Sequence, residues 1–151
     1  MSQGGRGTWR RFRTIPNILK EFNSNLIGFS VGREILALQS GTDYLSNLGP
    51  YTEKGFNFGS SDATSKDLIG QARELVSALE SDTRINMNRD WKLVTLSSGH
   101  RDLCHLSCKS GNTQQDFVEN VKEALDILFT LPNIIIQVIS PMGKYMEYNM
   151  K

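Results

Sequence analysis

The chain has 151 residues, with 17 Lys and Arg against 16 Asp and Glu for a formal net charge of +1. That length suits a single domain, and the near balance of charge excludes a molecule steered as a whole toward nucleic acid or an acidic membrane. The opening M-S-Q-G-G-R-G-T lacks the apolar core of a signal peptide, no apolar run approaches the roughly 18 residues of a membrane span, and two cysteines are too few for a disulfide framework.

Charge is concentrated locally in W-R-R-F-R, Trp9 to Arg13, where Arg10, Arg11 and Arg13 alternate with two aromatics. Such a cluster can stack on bases, meet lipid headgroups, or simply form a solvated basic face. The three arginines are the candidates for an anion or headgroup contact. A short helix is expected over Pro16 to Asn23, with Pro in the first turn and Ile18, Leu19 and Phe22 on one side. From Gly32 to Lys54 no period is sustained, which predicts a long loop with a helical turn near Glu34 to Leu38. A strand is expected near Gly55 to Gly59. It leads into G-S-S-D, Gly59 to Asp62, where a serine could stand as a nucleophile or serve a polar turn before a helix.

That helix is predicted from Thr64 to Ser81, since Leu68, Ile69, Ala72, Leu75, Val76 and Leu79 recur at helical spacing and Thr64 with Asp67 resembles a capping box. W-K-L-V-T-L from Trp91 has the length and branching of a strand. A further helix is predicted from Thr113 to about Leu131, with Phe117, Val118, Val121, Leu125 and Leu128 as its stripe and Pro132 beyond it. I-I-I-Q-V-I from Ile134 reads as a strand covered on both faces. The alternation of helix and strand describes a parallel α/β unit.

In such a unit, ligands meet the chain beyond the carboxyl ends of the strands. S-S-G-H-R-D-L-C, Ser97 to Cys104, falls there. The chain has two histidines, His100 and His105, and no G-x-S-x-G elbow for a nucleophile. His100, Cys104, His105 and Cys108 could in principle bind zinc, but four ligands crowded into nine residues strain a tetrahedron, so no metal and no cofactor are expected. Cys104 and Cys108 could form a local disulfide or remain small apolar thiols.

Several segments together resemble the phospholipase B group of GDSL-type (SGNH) lipid esterases. They are G-G-R-G-T-W-R-R-F-R-T-I-P-N-I-L-K-E-F-N, N-L-I-G-F-S-V-G, D-L-I-G-Q-A-R-E-L-V, D-T-R-I-N-M-N-R-D-W-K-L-V-T-L and G-H-R-D-L-C, and the resemblance runs from about Gly4 to Pro141. It implies a three-layer, flavodoxin-like α/β fold, a parallel sheet with flanking helices, of which residues 1–151 would form one partial domain. It also implies phospholipid or lysophospholipid as partner, with no nucleic acid, contact with a membrane periphery, and a lumenal, extracellular or membrane-associated setting. In the family a serine from a G-D-S block attacks the ester, a backbone amide, a glycine and an asparagine hold the oxyanion, and an Asp and a His activate the serine.

Carried across residue by residue, these blocks depart from the pattern. The resemblance sets the G-D-S block ahead of Gly4 and the D-x-x-H block beyond the last strand, so no catalytic residue is assigned and no turnover is expected of this chain alone. Counting from Asn57 places Asp62 in the glycine slot, with Gly59 nearby. G-H-R-D matches the G-x-N-D block, which puts Arg101 in the asparagine slot between the matching Gly99 and Asp102. An arginine is longer, charged and differently shaped than an amide. Asp102 is expected to tie down the loop backbone or pair with a nearby arginine. The family's cysteine pair at this loop is closer spaced than Cys104 and Cys108. The alternative to a degenerate esterase is a non-catalytic lipid- or protein-binding module on the same fold, with Arg101 and the Trp9 to Arg13 cluster available to an anionic headgroup.

Overall fold

The computed structural model describes residues 4–5, 7–31, 55–60, 62–102 and 113–139. Two compact units are present, Met1–Asn57 and Phe58–Lys151.

In the first unit, α1 (Ile15–Leu19) opens on Thr14, whose Oγ1 accepts from Asn17 N at 3.4 Å, with Pro16 in the first turn. The helix is turned polar side inward. Asn17 is 1% exposed and its Nδ2 donates to Phe12 O at 3.0 Å. Lys20 Nζ donates to Gly5 O at 2.5 Å and Gly7 O at 3.0 Å, and lies 4.8 Å from the centre of the Phe29 ring. Of the three apolar residues expected on one side, Leu19 is half-buried, while Ile18 at 45% and Phe22 at 85% exposure face out.

The strand expected near Gly55 to Gly59 is not formed. Gly55 and Phe56 make a turn, Gly55 at φ 58, and Phe56 N donates to Gly28 O at 2.9 Å. A Cβ at Gly55 would lie 2.5 Å from Gly28 O, so a close backbone approach rather than a ladder explains this glycine. The loop expected from Gly32 to Lys54 lies outside the described residues.

In the second unit, α2 (Asp67–Ser81), β1 (Lys92–Ser97), α3 (Gln114–Leu128) and β2 (Ile134–Ile139) follow in order. The strands pair in parallel, Lys92 with Ile134 through Ser97 with Ile139, as the alternating pattern predicts. Asp67 starts α2 three residues later than the capping pattern suggests. Its Oδ2 accepts from Thr64 N and Oγ1 at 2.7 and 3.0 Å, so the predicted pair closes the turn that leads into the helix, while the N-cap is Lys66, which makes no side-chain cap bond. α3 has the full reciprocal box. Thr113 Oγ1 accepts from Asp116 N, and Asp116 Oδ2 accepts from Thr113 N. The Thr113 amide holds the Asp116 carboxyl below its ordinary pKa.

Leu68 and Ala72 of α2, Leu96 of β1, and Ala124 and Leu128 of α3 make the core, with Val94, Ile134 and Ile136 packed against it. Burying a leucine such as Leu128 contributes roughly 1.5–3 kcal/mol. Both helices therefore cover the side of the sheet that carries Val94 and Ile136. Alternate residues point the other way, and there Leu93 is 46% and Ile135 53% exposed. Val138, register partner of Leu96, is 51% exposed at the carboxyl end. β2 is thus not covered on both faces as its unbroken apolar run predicts. No helix among the described residues is long and apolar enough to cross a membrane.

The amino end of the strands is closed by a polar knot. Lys92 is buried, and its Nζ donates to Met87 O and to Pro132 O, the latter at 2.8 Å. Lys92 N donates to Asn133 O at 2.9 Å. Asn133, at φ 52, donates from Nδ2 to Asn88 O at 2.7 Å. On the approach to this end, the Arg84 guanidinium lowers the Asp82 pKa to about 2.

Candidate functional site

Beyond the carboxyl end of β1 the chain runs through Ser98 and Gly99 into a helical turn at residues 100–102. Gly99 is buried at φ 109, where a side chain would be strained, so it allows the reversal that brings Asp102 back under the loop.

Asp102 is 3% exposed. Its Oδ1 and Oδ2 each accept from Ser65 N at 3.0 Å, and Oδ1 also accepts from Ser65 Oγ at 2.6 Å. Ser65, 1% exposed, in turn accepts from Asn120 Nδ2 of α3 at 3.2 Å. One buried carboxylate therefore ties the post-strand loop to the entry of α2, and through Ser65 to α3. Asp102, expected to bond the backbone of its own loop or an arginine, instead holds the amide of Ser65, 37 residues away. A carboxylate bonded by an amide and a hydroxyl satisfies the requirement that buried charge be hydrogen-bonded.

The adjacent arginine pairs elsewhere. Arg101 Nη2 donates to Asp62 Oδ1 at 2.5 Å, with side chains 47% and 79% exposed. The two positions singled out as departures in the oxyanion blocks are thus joined to each other across 39 residues of sequence. Ser60, in G-S-S-D, is exposed, and its carbonyl accepts from Ala63 N at 3.3 Å, a turn leading toward α2. His100 is exposed on the same turn as Arg101. Cys104, His105 and Cys108 lie outside the described residues. In the other unit, Arg10, Arg11 and Arg13 are exposed. Arg10 lies 5.2 Å from the centre of the Trp9 ring and Arg11 5.5 Å from that of Phe12.

Sequence reasoning missed Ser65 and Asn120. Asn120 left a signal, since it stands within the apolar stripe of α3, three residues after Phe117 and four before Ala124, where a polar side chain needs a buried partner. Ser65 left a weaker one, hidden by the Thr64 and Asp67 pair around it.

A family model described as GDSL-like Lipase/Acylhydrolase matches residues 1–150. The chain belongs to that family. Over 144 residues, 93% of its length, it is 37% identical to mouse, 36% to rat and 35% to human "Phospholipase B1, membrane-associated". It spans only 9% of the length of each of these relatives. No solved structure matches the chain.

Proposed function

We propose that this chain is a phospholipase B-like module of the GDSL family that takes phospholipid or lysophospholipid as its ligand class and does not turn over esters by itself. The pairing of Arg101 with Asp62 is the observation that carries this reading. The resemblance puts both residues where oxyanion donors belong. An oxyanion hole works because preformed donors point at the place where negative charge develops, each contributing roughly 3 kcal/mol to lowering the barrier. The Asp62 carboxylate engages one of the five N–H donors of the Arg101 guanidinium and sets a negative charge beside it, which repels a developing oxyanion. The buried Asp102 and Ser65, with the half-buried Asn120, keep the loop in place, so the scaffold of the site outlasts its chemistry.

As part of the same proposal, the two-stranded parallel sheet and its helices belong to a three-layer fold, residues 1–151 to one partial domain, and the setting is lumenal, extracellular or membrane-associated. The test is turnover of a short-chain nitrophenyl ester and of a lysophospholipid by the purified chain, together with labelling by a fluorophosphonate. The expected result is neither turnover nor labelling. Turnover abolished by Ser60→Ala or Ser61→Ala would show that a nucleophile works beside the ion pair and end this reading.

A further inference from the structure

A helix on a protein surface normally turns its apolar side inward, yet in α1 (Ile15–Leu19) the buried side chain is polar and Leu19 is only half-buried. Asn17 is buried and Lys20 reaches in to the carbonyls of Gly5 and Gly7, while Ile15 and Ile18, three residues apart, are 39% and 45% exposed. The turns continuing to Asn23 carry Phe22 out to 85% exposure, and Trp9 and Phe12 just ahead of the helix are 36% and 46% exposed. This much aromatic and branched surface within one short stretch marks an interaction face.

Charge on the same stretch selects the partner. Arg10, Arg11 and Arg13 alternate with the aromatics, and the one acid between Trp9 and Asn23 is Glu21. Arg10 lies over Trp9 and Arg11 over Phe12 at 5.2 and 5.5 Å, so cation and ring are presented side by side. Lys20 is turned inward and leaves the arginines as the outward cations of the stretch. Apolar rings among arginines match the boundary layer of an anionic bilayer, where rings sit among acyl chains and guanidiniums meet lipid phosphates.

We propose that residues 9–22 form a peripheral docking face for an anionic lipid surface, with Trp9, Phe12, Ile18 and Phe22 entering the interface and Arg10, Arg11 and Arg13 bonding headgroup phosphates. This goes beyond the ester reading and does not depend on it, since it concerns the first unit alone.

The test uses the full chain and phosphatidylcholine vesicles with or without about 30 mol% phosphatidylserine. In cosedimentation the chain binds the anionic vesicles at least tenfold more tightly than the neutral ones. Replacing Arg10, Arg11 and Arg13 by Gln weakens binding about 100-fold, at roughly fivefold per basic residue. Phe22→Ser weakens it about fivefold while leaving the thermal melt unchanged. In a Trp91→Phe background, Trp9 emission shifts to the blue on anionic vesicles only, and inorganic phosphate does not compete. Equal binding to neutral vesicles, or binding indifferent to the three arginines, overturns the proposal. Displacement by inorganic phosphate would assign the arginines to a free anion instead. A dimer in light scattering that Phe22→Ser dissolves would assign the face to a second copy.

Discussion

Lys92 opens β1 and Asp102 lies beyond its carboxyl end, both buried, and their surroundings differ in a way that separates scaffold from site. At the amino end the ammonium of Lys92 is held by the carbonyls of Met87 and Pro132, and Asn133 closes the neighbouring turn onto Asn88. At the carboxyl end Asp102 is equally well bonded to Ser65, yet the residues around it, His100, Arg101, Asp62 and Ser60, remain exposed. One end is a finished knot. The other is an anchor beneath a polar surface, the arrangement expected where a parallel α/β unit meets a ligand.

The sharpest way to break this contrast is to remove the anchor. Asp102→Ala takes the acceptor from an amide and a hydroxyl that water cannot easily reach, and should cost about 3 kcal/mol in urea unfolding. Asp102→Asn, which retains one acceptor oxygen, should recover part of that. A loss below about 1 kcal/mol for the alanine variant would show that the loop is held by something else.

The corresponding change at the closed end should cost less. Lys92→Met loses two bonds to carbonyls but also removes the cost of burying a charge, so about 1–2 kcal/mol is expected from the same measurement. If Lys92→Met proves the more damaging of the two, the amino end is the dominant anchor and the contrast is reversed.

Acid should weaken both ends together. The Asp82 carboxyl on the approach to the amino end is held at about 2 by the Arg84 guanidinium, and that of Asp116, which caps α3, is lowered chiefly by the Thr113 amide. A carboxyl whose folded pKa lies below its unfolded one contributes stability that is complete above the unfolded value, near 4, and disappears as pH falls through the folded one. Thermal midpoints should therefore be level above about pH 4 and fall toward pH 2. Asp82→Asn and Asp116→Asn should each remove part of the slope, and a slope unchanged in both variants would place the acid sensitivity in other carboxylates.

Period alone made the second unit legible. The apolar repeats of α2 and α3 and the branched runs of β1 and β2 produced the parallel pairing, because each element buries one face and that face dictates residue type. The same logic failed for β2, where Ile135 and Val138 are apolar without being covered, and for α1, where Ile18 and Phe22 face out while Asn17 and Lys20 satisfy backbone carbonyls within the unit. The residue pattern puts Gly55 in a strand, because the close approach of Gly28 leaves no trace in that pattern. At the site, the anchoring role of Asp102 could be anticipated from its place after the strand. Its partner 37 residues away could not, because a hydrogen bond between distant segments has no period.

The smallest effect bears most directly on function. A double-mutant cycle over Arg101→Ala and Asp62→Ala should give a coupling of about 0.5 kcal/mol, falling further in high salt, because both side chains are largely in water. The pair is therefore not kept by its contribution to the fold, and either residue can be changed without disturbing the anchor next to it. A weak coupling would confirm that Arg101 and Asp62 belong to the exposed half of the carboxyl end, where a small change in charge can alter what binds while stability stays level. A coupling near 3 kcal/mol would instead group them with Asp102 as structure, and the distinction between an anchored half and an open half of this end would be lost.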